Sequence, residues 1–142
     1  MALWLVSAFL CSVALLSTLV LGLPVQTEEL KPVPIRVTVK DEFSASSSFF
    51  QTSVLEGGVL YGALTRLQDS SNGFKFTVKI DPNLGLYLES VNGVAGSEAK
   101  HTYWQILSEH DGTVTKLDVG VGCYQPKKDE HIILKYTTWT KE

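Results

Sequence analysis

The strongest constraint on the fold is that charge is absent from the first 22 residues and spread through the rest. All 12 basic and 15 acidic side chains of this 142-residue chain follow Gly22, and Met1–Gly22 is mostly Leu, Val, Ala and Ser. An apolar N-terminal stretch that ends in small residues is typical of a secretory signal peptide. Val20 and Gly22 fit the small positions before a cleavage site, so we expect cleavage after Gly22 and no membrane span afterwards. An uncleaved anchor is the alternative, because about 20 apolar residues also span a bilayer.

Residues 23–142 are enough for one domain with one hydrophobic core. Residues 23–34 contain three prolines and are expected to form an extended leader, which leaves 35–142 for the domain. A formal net charge of −3 without a basic block argues against nucleic acid as the partner. With Cys11 in the signal peptide, Cys123 has no second cysteine to pair with inside the domain. We expect a small buried residue there, and an intermolecular disulfide is the alternative.

Alternation of apolar and polar side chains predicts β-strands. Ile35–Lys40 alternates β-branched with polar residues, and the weaker pattern of Phe49–Leu55 would return beside it as a hairpin. The same period of two occurs in Phe74–Ile80, Leu86–Val91 and His131–Trp139. These segments are expected to form one mixed sheet.

One segment has the helical period instead. Five apolar residues within Val59–Leu67 recur at the spacing of one helix face, and the turn-forming residues 70–73 predict the end of the helix. A single helix packed on one face of a mixed sheet is an α+β fold. A short helical turn is also predicted over His101–Glu109, and residues 117–124 are expected to be a glycine-containing strand or loop.

The sequence contains no motif for nucleophilic, phosphate or metal chemistry, so we do not expect an enzyme. His101, His110 and His131 are separated by 8 and 20 residues, a spacing without a zinc-ligand pattern. We interpret these histidines as solvated or hydrogen-bonded structural residues. Asp129 and Glu130 directly follow two lysines, and we interpret this run of charges as a solvated loop rather than an acid/base pair.

The segment Tyr103–Leu107 carries two aromatic rings and two aliphatic side chains in five residues, between polar loops. These side chains either fill the core beneath a loop or line a groove for a bulky, mostly apolar ligand. In the second case Gln105 or backbone groups would be the polar contacts. The spacing leaves both interpretations open.

Two blocks of the sequence resemble a known family. Gly85–Gly93 (GLYLESVNG) and His101–Ser108 (HTYWQILS) are followed in the same order by Gly120-Val121 and Glu130-His131-Ile132. This order is similar to the C-terminal β-domain of the vertebrate cobalamin carriers, which are transcobalamin, gastric intrinsic factor and haptocorrin, and the likeness extends over Val33–Trp139. It implies a β-grasp-like fold and, as ligand, cobalamin (vitamin B12) or a related corrinoid.

The resemblance also implies which side chains meet that ligand. Leu88, Ile106 and Leu117 would face the corrin, while Tyr103 and Trp104 would shape or support the surface. Burying a Leu or Ile side chain against the macrocycle contributes about 1.5–3 kcal/mol. The cobalt would belong to the ligand, and the resemblance implies no metal bond from the protein.

Three features depart from the carriers. Residues 23–142 are too few to include the helical barrel that covers the other side of the vitamin, His110–Gly112 is interpreted as an insertion, and Cys123 stands where a small or acidic residue is expected. A second copy or another protein would have to supply the missing wall. We therefore expect a secreted, extracellular, non-catalytic protein that binds cobalamin for transport. The alternative is a secreted protein-interaction module that kept the fold and lost the ligand.

Overall fold

A computed structural model describes residues 30–83 and 85–139; the predicted signal peptide and most of the predicted leader lie outside the described residues. Within the two described ranges the chain forms one helix and eight strands, which confirms the α+β class. The elements in chain order are β1 (Pro32–Asp41), β2 (Ser47–Leu55), α1 (Leu60–Ser70), β3 (Phe76–Asp81), β4 (Gly85–Val91), β5 (Val94–Ala95), β6 (Thr102–His110), β7 (Thr113–Lys116) and β8 (His131–Thr138).

The larger sheet has five strands in the order β2-β1-β8-β6-β7. Strands β1 and β8 run parallel, and the other neighbours are antiparallel, so the sheet is mixed as predicted. Val37 pairs with Phe50 on one side and Ile132 on the other, and Val37 and Ile132 are fully buried. Because side chains alternate along a strand, this register places one face of the sheet against the core.

The prediction of a single sheet is wrong. Strands β3, β4 and β5 form a separate three-stranded antiparallel sheet. Asn92 and Gly93, both at positive φ (51° and 83°), form the tight turn between β4 and β5. Leu88 and Val91 on β4 join the same buried cluster as the large sheet and the helix. Alternation predicts which side of a strand is buried, but it does not predict which strand lies next to it.

The helix buries Leu60, Ala63, Leu64 and Leu67, the face that the sequence predicts. Its first turn has no side-chain cap. The N–H groups of Leu60 and Tyr61 instead donate to backbone carbonyls of the 117–124 loop, at 2.7 and 2.8 Å. This loop therefore satisfies donors that the start of a helix leaves unpaired.

The short helical turn predicted over His101–Glu109 is also wrong, because this segment is strand β6. Thr102, Trp104, Ile106 and Ser108 are buried in alternation, and the residues between them are half-buried. Large apolar residues on both faces hide the period of two in the sequence.

The predicted insertion His110–Gly112 comprises the last residue of β6 and the two-residue turn of the β6–β7 hairpin. Asp111 and Gly112 both have positive φ, 50° and 79°, which a two-residue hairpin turn requires. Strand β1 begins at Pro32, three residues before the predicted start, so residues 32–34 of the predicted leader belong to the sheet. Within residues 30–83 and 85–139, no helix has both the length and the apolar character that a membrane span requires.

Candidate functional site

The six residues predicted to contact a ligand line one cavity of about 200 Å³ between the two sheets. They come from three separate segments of the chain: strand β4, strand β6 and the loop after β7. The residues are Leu88, Tyr103, Trp104, Gln105, Ile106 and Leu117.

The three aliphatic residues differ in exposure. Leu88 and Ile106 are only 5% and 8% exposed, so they form the floor of the cavity rather than a raised surface. Leu117 is half-buried in the loop, and its N–H donates to the Ile106 carbonyl at 3.0 Å. The cavity floor is thus continuous with the hydrophobic core, and Leu117 is the aliphatic member with the most freedom to contact a ligand.

The aromatic and amide side chains of β6 are held by the protein. Trp104 donates its indole N–H to the Val94 carbonyl at 2.7 Å, and its ring packs 5.3 Å from that of Tyr136. On the opposite face of the strand, Gln105 donates to the Tyr103 hydroxyl at 3.1 Å. These contacts orient the two rings, and the supporting role implied for Trp104 and Tyr103 stays a prediction.

Part of one edge of β6 carries no neighbouring strand in the described chain. Strand β7 pairs with β6 only from Leu107 onward, and a single bridge joins Ser97 to Thr102. The Trp139 N–H donates a hydrogen bond to the His101 carbonyl. Hydrogen-bonded pairs alternate along an antiparallel ladder, so the odd-numbered residues of β6 bond to β8 and the even-numbered residues face the other edge. By that alternation the backbone N–H and C=O of Trp104 point toward the open edge, where the cavity lies.

A second cavity of about 690 Å³ adjoins the first. The two cavities share Tyr87, Leu88, Tyr103, Trp104 and Lys116 as lining residues, so they form one groove, which we call the inter-sheet groove. Its larger part is rimmed by charged side chains that the sequence analysis did not identify. They include Lys79 and Glu89, which form an ion pair at 3.5 Å, together with Asp81 and Glu98. Trp139 also lines this part of the groove.

The loop that closes the smaller cavity is fixed against β4. Gly120 approaches Leu86 so closely that an added Cβ would lie 2.2 Å from the Leu86 carbonyl oxygen. Val121, the next residue, is fully buried. Together with the bonds to the start of the helix, these contacts hold Leu117 beside β6.

The interpretation of Glu130 as part of a solvated loop is wrong. Its side chain is 2% exposed and accepts three hydrogen bonds: from Ser108 Oγ at 2.7 Å, Tyr124 Oη at 2.5 Å and the Lys127 N–H at 2.9 Å. Burial raises the pKa of Tyr124, and the hydrogen bond to Glu130 raises this pKa further. Glu130 therefore ties β6, the 117–124 loop and the start of β8 together.

The structure confirms the interpretation of the histidines. His131 shares a 2.6 Å hydrogen bond with Thr38 and lies 3.4 Å from Glu109, while His101 and His110 are exposed. In the residues that the structure describes, no group of three His, Cys, Asp or Glu side chains could hold a metal ion. Cys123 is a free, exposed thiol, so the prediction that it is buried is wrong.

No protein-family model matches the chain. Among curated proteins, the chain is 31% identical over 127 residues to cobalamin binding intrinsic factor of Mus musculus. This alignment covers 82% of the chain. The chain is 37% identical over 87 residues to the proteins of the same name from Canis lupus familiaris and Homo sapiens, which covers 61% of this chain. The chain spans 29% of the length of the mouse protein and 20% of the human one.

Two solved structures share the fold. The chain superposes on haptocorrin in complex with Cbi with a TM-score of 0.66 and 20% identity, over 81% of this chain and 27% of haptocorrin. A protein from Ruminococcus gnavus gives a TM-score of 0.55 and 15% identity, over 76% of this chain and 99% of the bacterial one. The second match shows that nearly the whole of a protein chain can consist of this fold.

Proposed function

The chain is a transcobalamin-like domain related to the cobalamin carriers, and we propose that it binds cobalamin or a related corrinoid in the inter-sheet groove. The binding is non-catalytic, the protein is secreted with Met1–Gly22 as its signal peptide, and the large sheet with its helix is a β-grasp-like scaffold. One observation carries the proposal: all six predicted contact residues, from three separate segments, line the same cavity.

The floor of the groove suits one face of a macrocycle. Leu117 supplies accessible aliphatic surface above a floor formed by the nearly buried Leu88 and Ile106, and contact with such surface is the main source of affinity for a broad apolar ring. A corrin exceeds the cavity of about 200 Å³, so it would extend into the adjoining cavity of about 690 Å³. There the charged rim would meet the polar edge of the ligand.

The open edge of β6 suits the amides that surround a corrin. The backbone N–H and C=O of Trp104 offer one donor and one acceptor, and a primary amide complements both. Backbone groups in a strand are held rigidly, so they lose little entropy when they bind a ligand. This is the polar contact that the sequence analysis assigned to Gln105 or to the backbone. We assign it to the backbone, whose groups the strand holds rigidly, although the Gln105 amide keeps its oxygen and one N–H after its bond to Tyr103.

The opposing wall would come from another protein or a second copy of the chain. The groove covers one face of the ligand only, and association costs several kcal/mol of rigid-body entropy before any contact is counted. We therefore expect weak binding by the domain alone and tighter binding when a helical domain of a carrier is added.

Isothermal titration calorimetry with cobalamin and with cobinamide tests the proposal. Saturable binding is expected, and Leu117→Ser should weaken it about tenfold. Val114→Ser is the matched control, because Val114 is exposed on β7 and lines neither cavity. The absence of saturable binding, both alone and with a carrier's helical domain, would contradict the proposal.

The alternative function is a protein-interaction module. Such a module would use exposed aliphatic residues such as Ile80, which is 84% exposed on β3, or Val119, which is exposed in the loop beside the smaller cavity. This alternative would be favoured by a protein partner whose binding is the same with and without cobalamin and is abolished by Ile80→Ser.

A further inference from the structure

A third cavity lies away from the inter-sheet groove and shares no lining residue with it. It has a volume of about 530 Å³ and is formed by β1, β2, the last turns of α1 and the turn before β8. We propose that this cavity binds a small organic anion through its phosphate, sulfate or carboxylate group, and that Arg36 and Arg66 hold that group.

Both arginines are oriented by neutral oxygen atoms. Arg66 donates from Nη1 to Ser53 Oγ at 2.8 Å, and Arg36 donates from Nη2 to the Asp129 carbonyl at 3.2 Å. A guanidinium has five N–H donors, so each of these bonds leaves most of the donors unused. Both side chains are exposed, and these bonds orient them without neutralising their charge.

Neither arginine has an ion-pair partner in the part of the chain that the structure describes. Lys79, His110 and His131 contact acidic side chains there, and the two arginines do not. Two guanidinium groups on one cavity, from a strand and a helix, create a positive potential that an anion would relieve. Guanidinium also matches the geometry of carboxylate and phosphate oxygens, because two parallel N–H groups bind them together.

The remaining polar groups of the cavity are of two kinds: some have free hydrogen-bond donors, and others already use theirs within the protein. Gln51 lies opposite Arg36 in the sheet, and the Ser53 hydroxyl, which accepts from Arg66, keeps its own proton for donation. The hydroxyls of Thr52 and Ser70 already donate to helix carbonyls. The free donors are therefore grouped beside the two arginines.

Asp129 is the one carboxylate among the lining residues. Its backbone carbonyl orients Arg36, while its negative side chain opposes a second anion nearby. Removing the charge of Asp129 should therefore strengthen anion binding, whereas removing the charge of either arginine should weaken it. A cavity of this volume also exceeds bare phosphate and lies within the range of small-ligand sites, about 300–1,000 Å³.

The test is a titration of the purified protein with sodium phosphate, sodium sulfate and sodium citrate at constant ionic strength, followed by the backbone amide NMR signals of Ser53 and Arg66. Saturable shifts are expected. Arg36→Gln and Arg66→Gln should each raise the Kd about tenfold, and Asp129→Asn should lower it. Lys100→Gln, which removes an exposed cation outside the cavity, is the matched control and should leave the Kd unchanged.

The series of anions also identifies the chemical group. Tighter binding of phosphate and sulfate indicates a tetrahedral oxyanion, and tighter binding of citrate indicates a carboxylate. The proposal is overturned if none of the three anions gives saturable shifts, or if the Kd is the same in Arg36→Gln, Arg66→Gln and the wild type. It is also overturned if Lys100→Gln raises the Kd as much as the arginine variants do.

Discussion

Gly120 and Leu86 approach so closely that a Cβ on Gly120 would lie 2.2 Å from the Leu86 carbonyl oxygen. The contact brings the loop that carries Leu117 against strand β4, which carries Leu88. Two walls of the inter-sheet groove are therefore joined where only glycine fits. The groove depends on this contact as much as on the side chains that line it.

Gly120→Ala should therefore displace the loop. The added methyl group has no space against a backbone atom, so we expect a loss of about 1–3 kcal/mol in the free energy of unfolding, together with weaker cobalamin binding. Urea denaturation and calorimetry measure the two effects. Gly62→Ala is the control, since Gly62 lies in helix α1, where alanine is favoured, and the nearest contact of an added Cβ would be Val54 Cγ2 at 3.8 Å. Equal stability of Gly120→Ala and wild type would contradict the contact.

Leu117 and Leu88 should respond differently to replacement by serine. Leu88 is almost fully buried in the core, so Leu88→Ser should cost about 2–5 kcal/mol of stability. Leu117 is half-buried, and Leu117→Ser should cost less than half of that. Denaturant midpoints of the two variants provide the comparison, and equal losses would mean that Leu117 is a core residue rather than a ligand contact.

The three hydrogen bonds of Glu130 predict a large effect from its removal. Glu130→Ala leaves the Ser108 and Tyr124 hydroxyls and the Lys127 N–H without their acceptor, and we expect a loss of about 3 kcal/mol in the free energy of unfolding. Glu130→Gln should lose less, because its amide oxygen still accepts. The neighbouring Lys128→Ala is exposed and should change stability by less than about 0.5 kcal/mol. A loss in Glu130→Ala no larger than that of Lys128→Ala would rule out the network.

The raised pKa of Tyr124 predicts a loss of stability in alkali. A folded-state pKa above the ordinary 10.0 means that the folded protein holds the phenolic proton more tightly than the unfolded chain does. The contribution is complete below pH 10 and is lost as the pH rises through the folded-state pKa. The decline of unfolding free energy above pH 10 should be smaller in Tyr124→Phe. An ultraviolet absorbance titration should show late ionisation in the wild type that is lost in Tyr124→Phe; if Tyr124→Phe retains it, the assignment is wrong.

Much of the fold was predictable because it depends on neighbours in the sequence. The helical spacing within Val59–Leu67 and the alternation in Ile35–Lys40 identify elements that the structure confirms. The grouping of Leu88, Ile106 and Leu117 came from the resemblance, since nothing in their spacing brings three distant segments together. The same residues then proved to differ in burial, which the resemblance did not predict.

The parts that were missed depend on contacts between distant residues. Ser108 and Glu130 are 22 positions apart, and only their meeting makes a buried carboxyl group possible at Glu130. Likewise Arg36 and Arg66 reach one cavity only because strand β2 and helix α1 pack together. Cys123 was expected to be buried from its residue type, but its loop turns it outward.

The sequence by itself determined helix α1, strands such as β1, β4 and β8 with the faces that they bury, and the relationship to the cobalamin carriers. Those properties follow from hydrophobic periodicity and from residue order, which are local. Only the tertiary structure decided that there are two sheets with a groove between them, and that backbone carbonyls of a loop satisfy the start of the helix. Strand pairing and the burial of a charged side chain are set by partners far along the chain, and periodicity carries no information about those partners.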